Sequence, residues 1–280
     1  MSKNSFLPWN FEAFRKFISY SVMQQACAAL LAYENEPLFS DEAMLSDFSS
    51  RLNKRTGVEW EPRRKVSEGV LFNTEGSVFR NKKRVFTSLY TIDPGCFETG
   101  KLTITNFGKA LGYGFITEPE YYELLISNYE YPHQAYEDNW IAWNTAEKKL
   151  RPLLFILSIM YAIYEKDGVG ALNADEIARF AFNSADNLNY KIIAKEILDN
   201  RKDLSKAGLS PRSKELKDKI DRKINDIFGF LCLSHFAYYE ANGISLNLMD
   251  KHNEEKTNFW EKRIGQNKKE YIHSFITSNL

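Results

Sequence analysis

Between Leu153 and Tyr164 the chain runs twelve residues without a charge, and Pro152 stands immediately before the run. A proline costs little in the first turn of a helix, where its missing N–H has no partner to lose. The run is too short to span a bilayer, which takes about 20 apolar residues. It therefore reads as a helix over Leu150–Glu165, buried in a core and stopped by Gly168 and Gly170. A chain built around such a helix must wrap it, and 280 residues suffice for one large or two ordinary domains. Aromatic residues make up 14% of the chain, including 20 Phe and 15 Tyr, and mean hydropathy is −0.43. That supply of large apolar side chains excludes disordered, collagen-like and disulfide-scaffold classes.

Around the core helix the pattern predicts a mainly α protein with short β-hairpins. Phe14, Phe17, Ile18, Val22, Cys27, Leu30 and Leu31 form an apolar stripe over 11–33. Ser40 is placed to cap a second helix that runs to Gly57. Thr87–Thr91 and Lys101–Ile104 read as two short strands around the turn residues Asp93, Pro94 and Gly95. Thr105 then caps Asn106–Leu111, and a further helix covers Glu118–Tyr129. Beyond the core helix, Asn173 caps Ala174–Phe182. Helices follow at Tyr190–Asn200 and from Ser213 to Phe236, with a basic loop from Arg201 to Pro211 between them. Tyr238–Gly243 contains a turn signal, and Ile244–Leu248 alternates as a strand would. Glu254–Ile264 and Lys268–Thr277 close the chain as helices. The expected division is an N-terminal winged-helix-like lobe (1–115), an acidic aromatic connector (116–149) and a C-terminal winged-helix-like lobe (150–280).

Lys plus Arg and Asp plus Glu both total 37, yet the charge is unevenly placed. Residues 51–84 carry ten basic and four acidic side chains, and 191–223 carry eleven and six. Between these zones, 118–147 holds seven acidic residues and no Lys or Arg. Two basic zones on a neutral chain are the pattern of a polyanion binder. In the first zone Arg63, Arg64, Lys65, Arg80, Lys82, Lys83 and Arg84 are candidates to clamp phosphates. In the second, a helix beginning near Asn187, Asn189, Tyr190 and Lys191, with Lys195 one turn on, has the side chains that read base edges and touch phosphates.

Catalytic chemistry has little support. Glycine-rich phosphate loops are missing from the sequence, and three scattered cysteines with four histidines make no zinc pattern. No metal and no cofactor is expected; Mg²⁺ enters only if the chain is a nuclease. Glu59, Glu61 and Lys65 are then the best available carboxylate–lysine set. The cysteine usage and the lack of an apolar leader at Met1–Asn10 point to the cytoplasm, with no membrane partner.

Four segments resemble the DNA-recognition part of AlwI-type restriction and nicking endonucleases. They are KLTITNFGKAL (101–111), EPEYYELLISNYEYP (118–132), LRPLLFIL with LNADEIARF (150–157, 172–180), and GISLN (243–247). The resemblance implies tandem winged helices that bind double-stranded DNA sequence-specifically. It also implies a setting in a bacterial restriction or phage-defence system. Family members carry a separate carboxylate–lysine nuclease domain, which this sequence lacks, so a nuclease or methylase partner subunit is expected. Two other readings stay open: a complete endonuclease, or a protein adaptor that docks through the aromatic-acidic stretch Tyr121–Trp143.

Overall fold

The computed structural model describes residues 9, 19–38, 41–57, 85–133, 143–182, 184, 188–202, 214–241, 243–248 and 268–280. Two compact units emerge: Ala13–Leu125 with His133–Trp140, here the N-terminal unit, and Met1–Glu12, Ile126–Pro132 and Ile141–Leu280, the C-terminal unit.

In the N-terminal unit, α1 (Tyr20–Leu30) buries Met23, Ala26, Cys27 and Leu30, continues as a 3₁₀ turn over Leu31–Tyr33, and packs on α2 (Glu42–Thr56). The cap of α2 is Asp41 rather than Ser40: its carboxylate accepts from the Met44 N–H at 3.0 Å. A carboxylate there also complements the positive helix end. Gly57, at φ 64°, ends α2 in the left-handed conformation expected of a C-terminal glycine.

The two strands expected at Thr87–Thr91 and Lys101–Ile104 do not form. Residues 85–88 make a helical turn, α3 is the short Cys96–Thr99, and one antiparallel bridge, Ile92 to Ile104, stands where a hairpin was expected. Val85, Phe86, Leu89, Ile92 and Leu102 are all buried, so no solvent-facing side enforces the alternation a half-exposed strand requires. Thr105 caps α4 (Asn106–Gly112) by accepting from the Gly108 N–H at 3.0 Å, and α5 follows at Glu118–Asn128. Helix α4 lies so close to its neighbours that a Cβ on Gly108 would meet the Thr91 carbonyl oxygen at 2.1 Å.

The C-terminal unit is organised around α6 (Pro152–Asp167), in which every residue from Pro152 to Ile163 is buried. Gly168, at φ 76°, terminates it. The three-residue strand β1 (Ala171–Asn173) runs into α7 (Ala174–Glu176), whose capping box pairs Asn173 with Glu176. The helix widens to a π turn over Ile177–Ala181. Trp9 is buried against it, its indole N–H donating to the Ala181 carbonyl at 2.7 Å and its ring edge-on to Phe155 and Phe182. Helix α8 (Tyr190–Lys202) packs on α6 through Ile193, Ala194 and Ile197. Then come α9 (Lys214–Leu233), β2 (Ala237–Glu240), β3 (Gly243–Leu246) and α10 (Lys268–Asn279).

The sheet is antiparallel in the order β1-β3-β2, with Leu172 opposite Ile244 and Tyr239 opposite Ile244 on the other side. Strand β2 takes in the first residues of the stretch that carries the turn signal, and the chain reverses between Glu240 and Gly243, which pair across the hairpin. The chain is thus mainly helical, with one small antiparallel sheet among the described residues.

Candidate nucleic-acid interface

Of the residues expected to contact DNA, the structure brings Asn189, Tyr190, Lys191 and Lys195 to one end of α8. The buried positions 193, 194 and 197 turn one side of this helix to the core, which leaves Lys191, Ile192, Lys195 and Glu196 on the outside. Lys191 and Lys195 lie four residues apart, one above the other on a helix surface. Neither is ion-paired among the described residues; the Lys191 ammonium lies 5.8 Å from the centre of the Tyr190 ring. Asn189 acts as the cap, its Oδ1 accepting from the Lys191 N–H at 3.1 Å and the Ile192 N–H at 3.4 Å. The remaining candidates, Arg63, Arg64, Lys65, Arg80, Lys82, Lys83, Arg84 and Asn187, lie outside the described residues, as do Glu59 and Glu61.

The opposite end of α8 is fixed by Arg201, a residue the sequence placed in a basic loop. Its Nε donates to Glu176 Oε1 at 2.7 Å and its Nη2 to Glu176 Oε2 at 3.0 Å. The same Nη2 reaches the Ala171 carbonyl at 2.7 Å, and Nη1 reaches Asp167 at 3.3 Å. One guanidinium thereby joins the end of α6, strand β1, the end of α7 and the end of α8. The fork geometry of arginine suits a bidentate carboxylate in a way a lysine cannot match. The Glu176 hydrogen bond is also the main reason Arg201 is held above its ordinary pKa. Glu176 serves twice, since its Oε2 also accepts from the Asn173 N–H at 3.0 Å. The outcome is a helix with a packed inner face, a bolted C-terminal end and a polar, cationic N-terminal end toward solvent.

Next to that N-terminal end lies a cleft of about 340 Å³, bordered by Glu130, Lys149, Arg151, Leu188 and Tyr190. No group of three or more His, Cys, Asp or Glu side chains among the described residues could hold a metal ion. Cys27 and Cys96 are buried and Cys232 half-buried, all three as free thiols, with burial pushing Cys27 and Cys232 up to about 12. Such thiols are held in the unreactive protonated form.

The acidic connector corrects one expectation. Tyr121, Tyr122, Tyr129, Tyr131 and Trp143 are each at most 2% exposed, so these five aromatics are core side chains and unavailable for docking, while residues 134–142 of the stretch lie outside the described residues. His133 is buried as well, edge-on to Tyr90, and burial lowers its pKa to about 4. No helix among the described residues is long and apolar enough to cross a membrane.

No protein-family model matches the chain, and no curated protein matches it. The fold is shared with a solved structure, the BpuJ1 endonuclease binding domain in complex with pyrene- and phenanthrene-modified DNA. That likeness has a TM-score of 0.59 at 13% sequence identity and covers 98% of this chain and 97% of that one.

Proposed function

We propose that this chain is a sequence-reading, double-stranded-DNA-binding protein of a restriction or phage-defence system, acting in the cytoplasm with a separate nuclease or methylase subunit. The observation that carries the reading is the end-to-end likeness to an endonuclease binding domain whose solved structure contains DNA. The C-terminal unit supports it independently. Its order is helix, strand, helix, helix, then a β-hairpin after an inserted helix, with the first strand paired to the last. We read this order as a winged helix with one extra helix before its hairpin, in which α8 would be the groove-entering helix.

In this reading Tyr190, Lys191 and Lys195 face the DNA, and Asn189 holds the helix end in shape. The basic residues of 63–65 and 80–84, with Asn187, complete the proposed contact set. Free, largely buried thiols suit a reducing compartment.

The test is selection. The purified chain is mixed with a random-sequence duplex pool near physiological salt, and the retained DNA is sequenced. Enrichment of one motif is the expected result. Retention without a motif, fading steeply with salt, means phosphate binding alone. Absence of retention overturns the proposal. The same pool with added Mg²⁺ decides the endonuclease reading, because cutting by the isolated chain requires an active site such as Glu59, Glu61 and Lys65.

A further inference from the structure

We infer that the cleft beside Tyr190 is a backbone-phosphate seat, and that Glu130 occupies its lysine until DNA arrives. This inference rests on the DNA-binding reading above. Four observations converge on it. First, the segment entering α6 is extended at Arg151, and Leu150 is tied to Tyr131 by a two-bond antiparallel bridge of 2.6 and 2.8 Å. Alternate residues of an extended stretch share a side. Lys149 and Arg151 both border the cleft, with Leu150 between them also touching it.

Second, the two cations are held differently. The Lys149 side chain is 68% exposed and, among the described residues, pairs with Glu130 at 3.4 Å, a surface pair of small net worth. Arg151 is half-buried and anchored, its Nη1 donating to the Asn279 carbonyl at 2.8 Å, which fixes the guanidinium at the rim. Third, apolar and aromatic residues also line the cleft, Phe155, Leu188 and Tyr190 among them. Apolar and aromatic surface under a cationic rim suits a deoxyribose with its phosphate. Fourth, the site adjoins the first residue of α8. A helix lying in the roughly 12 Å major groove has a phosphate strand on either side of it.

A phosphate entering the cleft would displace the Glu130 carboxylate from Lys149 and gain the Arg151 guanidinium. Lys149, Arg151 and Glu130 would then act on binding strength alone, without reading sequence.

The experiment compares wild type, Lys149→Gln, Lys149→Arg and Glu130→Gln. Binding to a random-sequence duplex and to the selected duplex is measured between 50 and 200 mM salt, and thermal unfolding shows that each variant is folded. One lost phosphate contact lowers the slope of log affinity against log salt by about 0.9, so Lys149→Gln should lose about threefold less affinity across that range. Both duplexes should be affected alike, and Lys149→Arg should keep the wild-type slope. Glu130→Gln should bind both duplexes about twofold tighter or more, since it removes the competing carboxylate. Wild-type slopes in Lys149→Gln, weaker binding by Glu130→Gln, or a changed preference for the selected duplex would each overturn the phosphate seat while leaving the DNA reading in place. Failure of the wild-type chain to retain either duplex would overturn both.

Discussion

The two units solve one packing problem by different means. Each must hold a short helix against a core through an antiparallel element. In the C-terminal unit that element is a three-stranded sheet, and the helix α8 is secured to its edge by the Arg201 fork. In the N-terminal unit it has shrunk to a single bridge, and α4 is held by close backbone approach at Gly108 and Gly112. A ladder with a charged bolt fixes an orientation while leaving the outer helix face open to any side chain. Close approach fixes an orientation by forbidding side chains on the inner face. The difference teaches where substitution is tolerated: on the surface of α8, and hardly at all beneath α4.

The sharpest way to break this contrast is to add a methyl group where each unit has no room. A Cβ on Gly108 would lie 2.1 Å from the Thr91 oxygen, and one on Gly243 would lie 2.0 Å from the Leu172 oxygen. Gly108→Ala and Gly243→Ala should each cost about 3 kcal/mol or more, because backbone atoms cannot yield as a side-chain tip can. Hydrogen exchange should show the N-terminal unit opening in the first variant and the C-terminal unit in the second. Loss of protection in both units from either change would mean that they unfold as one.

Acid should separate the units next. Burial holds the His133 pKa at about 4, below the ordinary 6.5, so the unfolded chain takes up a proton that the folded chain refuses. Stability is then complete above pH 6.5 and falls as pH drops toward 4, by up to about 3 kcal/mol in the N-terminal unit. Chemical unfolding followed from pH 7 to 4 should show this slope, and His133→Asn should flatten it. An unchanged slope in that variant would assign the acid sensitivity to other groups.

The smallest effect should come from Arg201→Met. The pair with Glu176 is partly open to solvent, with side-chain exposures of 30% and 9%, so the loss should be about 2 kcal/mol. Arg201→Lys should restore little of it, since a lysine keeps the charge and loses the fork. Full recovery by lysine in an unfolding titration would reduce the bolt to simple charge attraction.

Local signals were legible in the sequence. Thr105 and Asn173 cap helices at the expected positions, Pro152 opens the core helix, and Gly57 and Gly168 close their helices with left-handed turns. Each depends on neighbours a few residues away. Features decided at a distance were less readable. Thr87–Thr91 has β-branched residues, yet packing on every side removed the need for a strand. The turn signal in Tyr238–Gly243 gave the reversal but not the strand before it, because Ala237–Glu240 is drawn into the sheet by pairing with β3. Arg201 belonged to a charged stretch until its partners, 25, 30 and 34 residues earlier, came within reach. Of the expected contact residues, four could be located at the α8 end. Lys149 and Arg151 carry no sequence signal of their own, because their shared cleft is formed with residues as distant as Glu130 and Asn279.

The π turn at Ile177–Ala181 has a consequence for how length changes are absorbed. A π turn is an α-helix that accommodates one additional residue, each residue advancing an α-helix by about 100°. Removing one residue from Ile177–Ala181 can therefore relax the segment to ordinary α geometry while preserving the directions of the chain on either side. The same deletion inside Pro152–Asp167 would swing every later side chain by that angle, in a helix buried on all sides from Pro152 to Ile163. Insertion and deletion are thus unequal events along this chain, and the fold keeps one spare position close to the helix that faces outward.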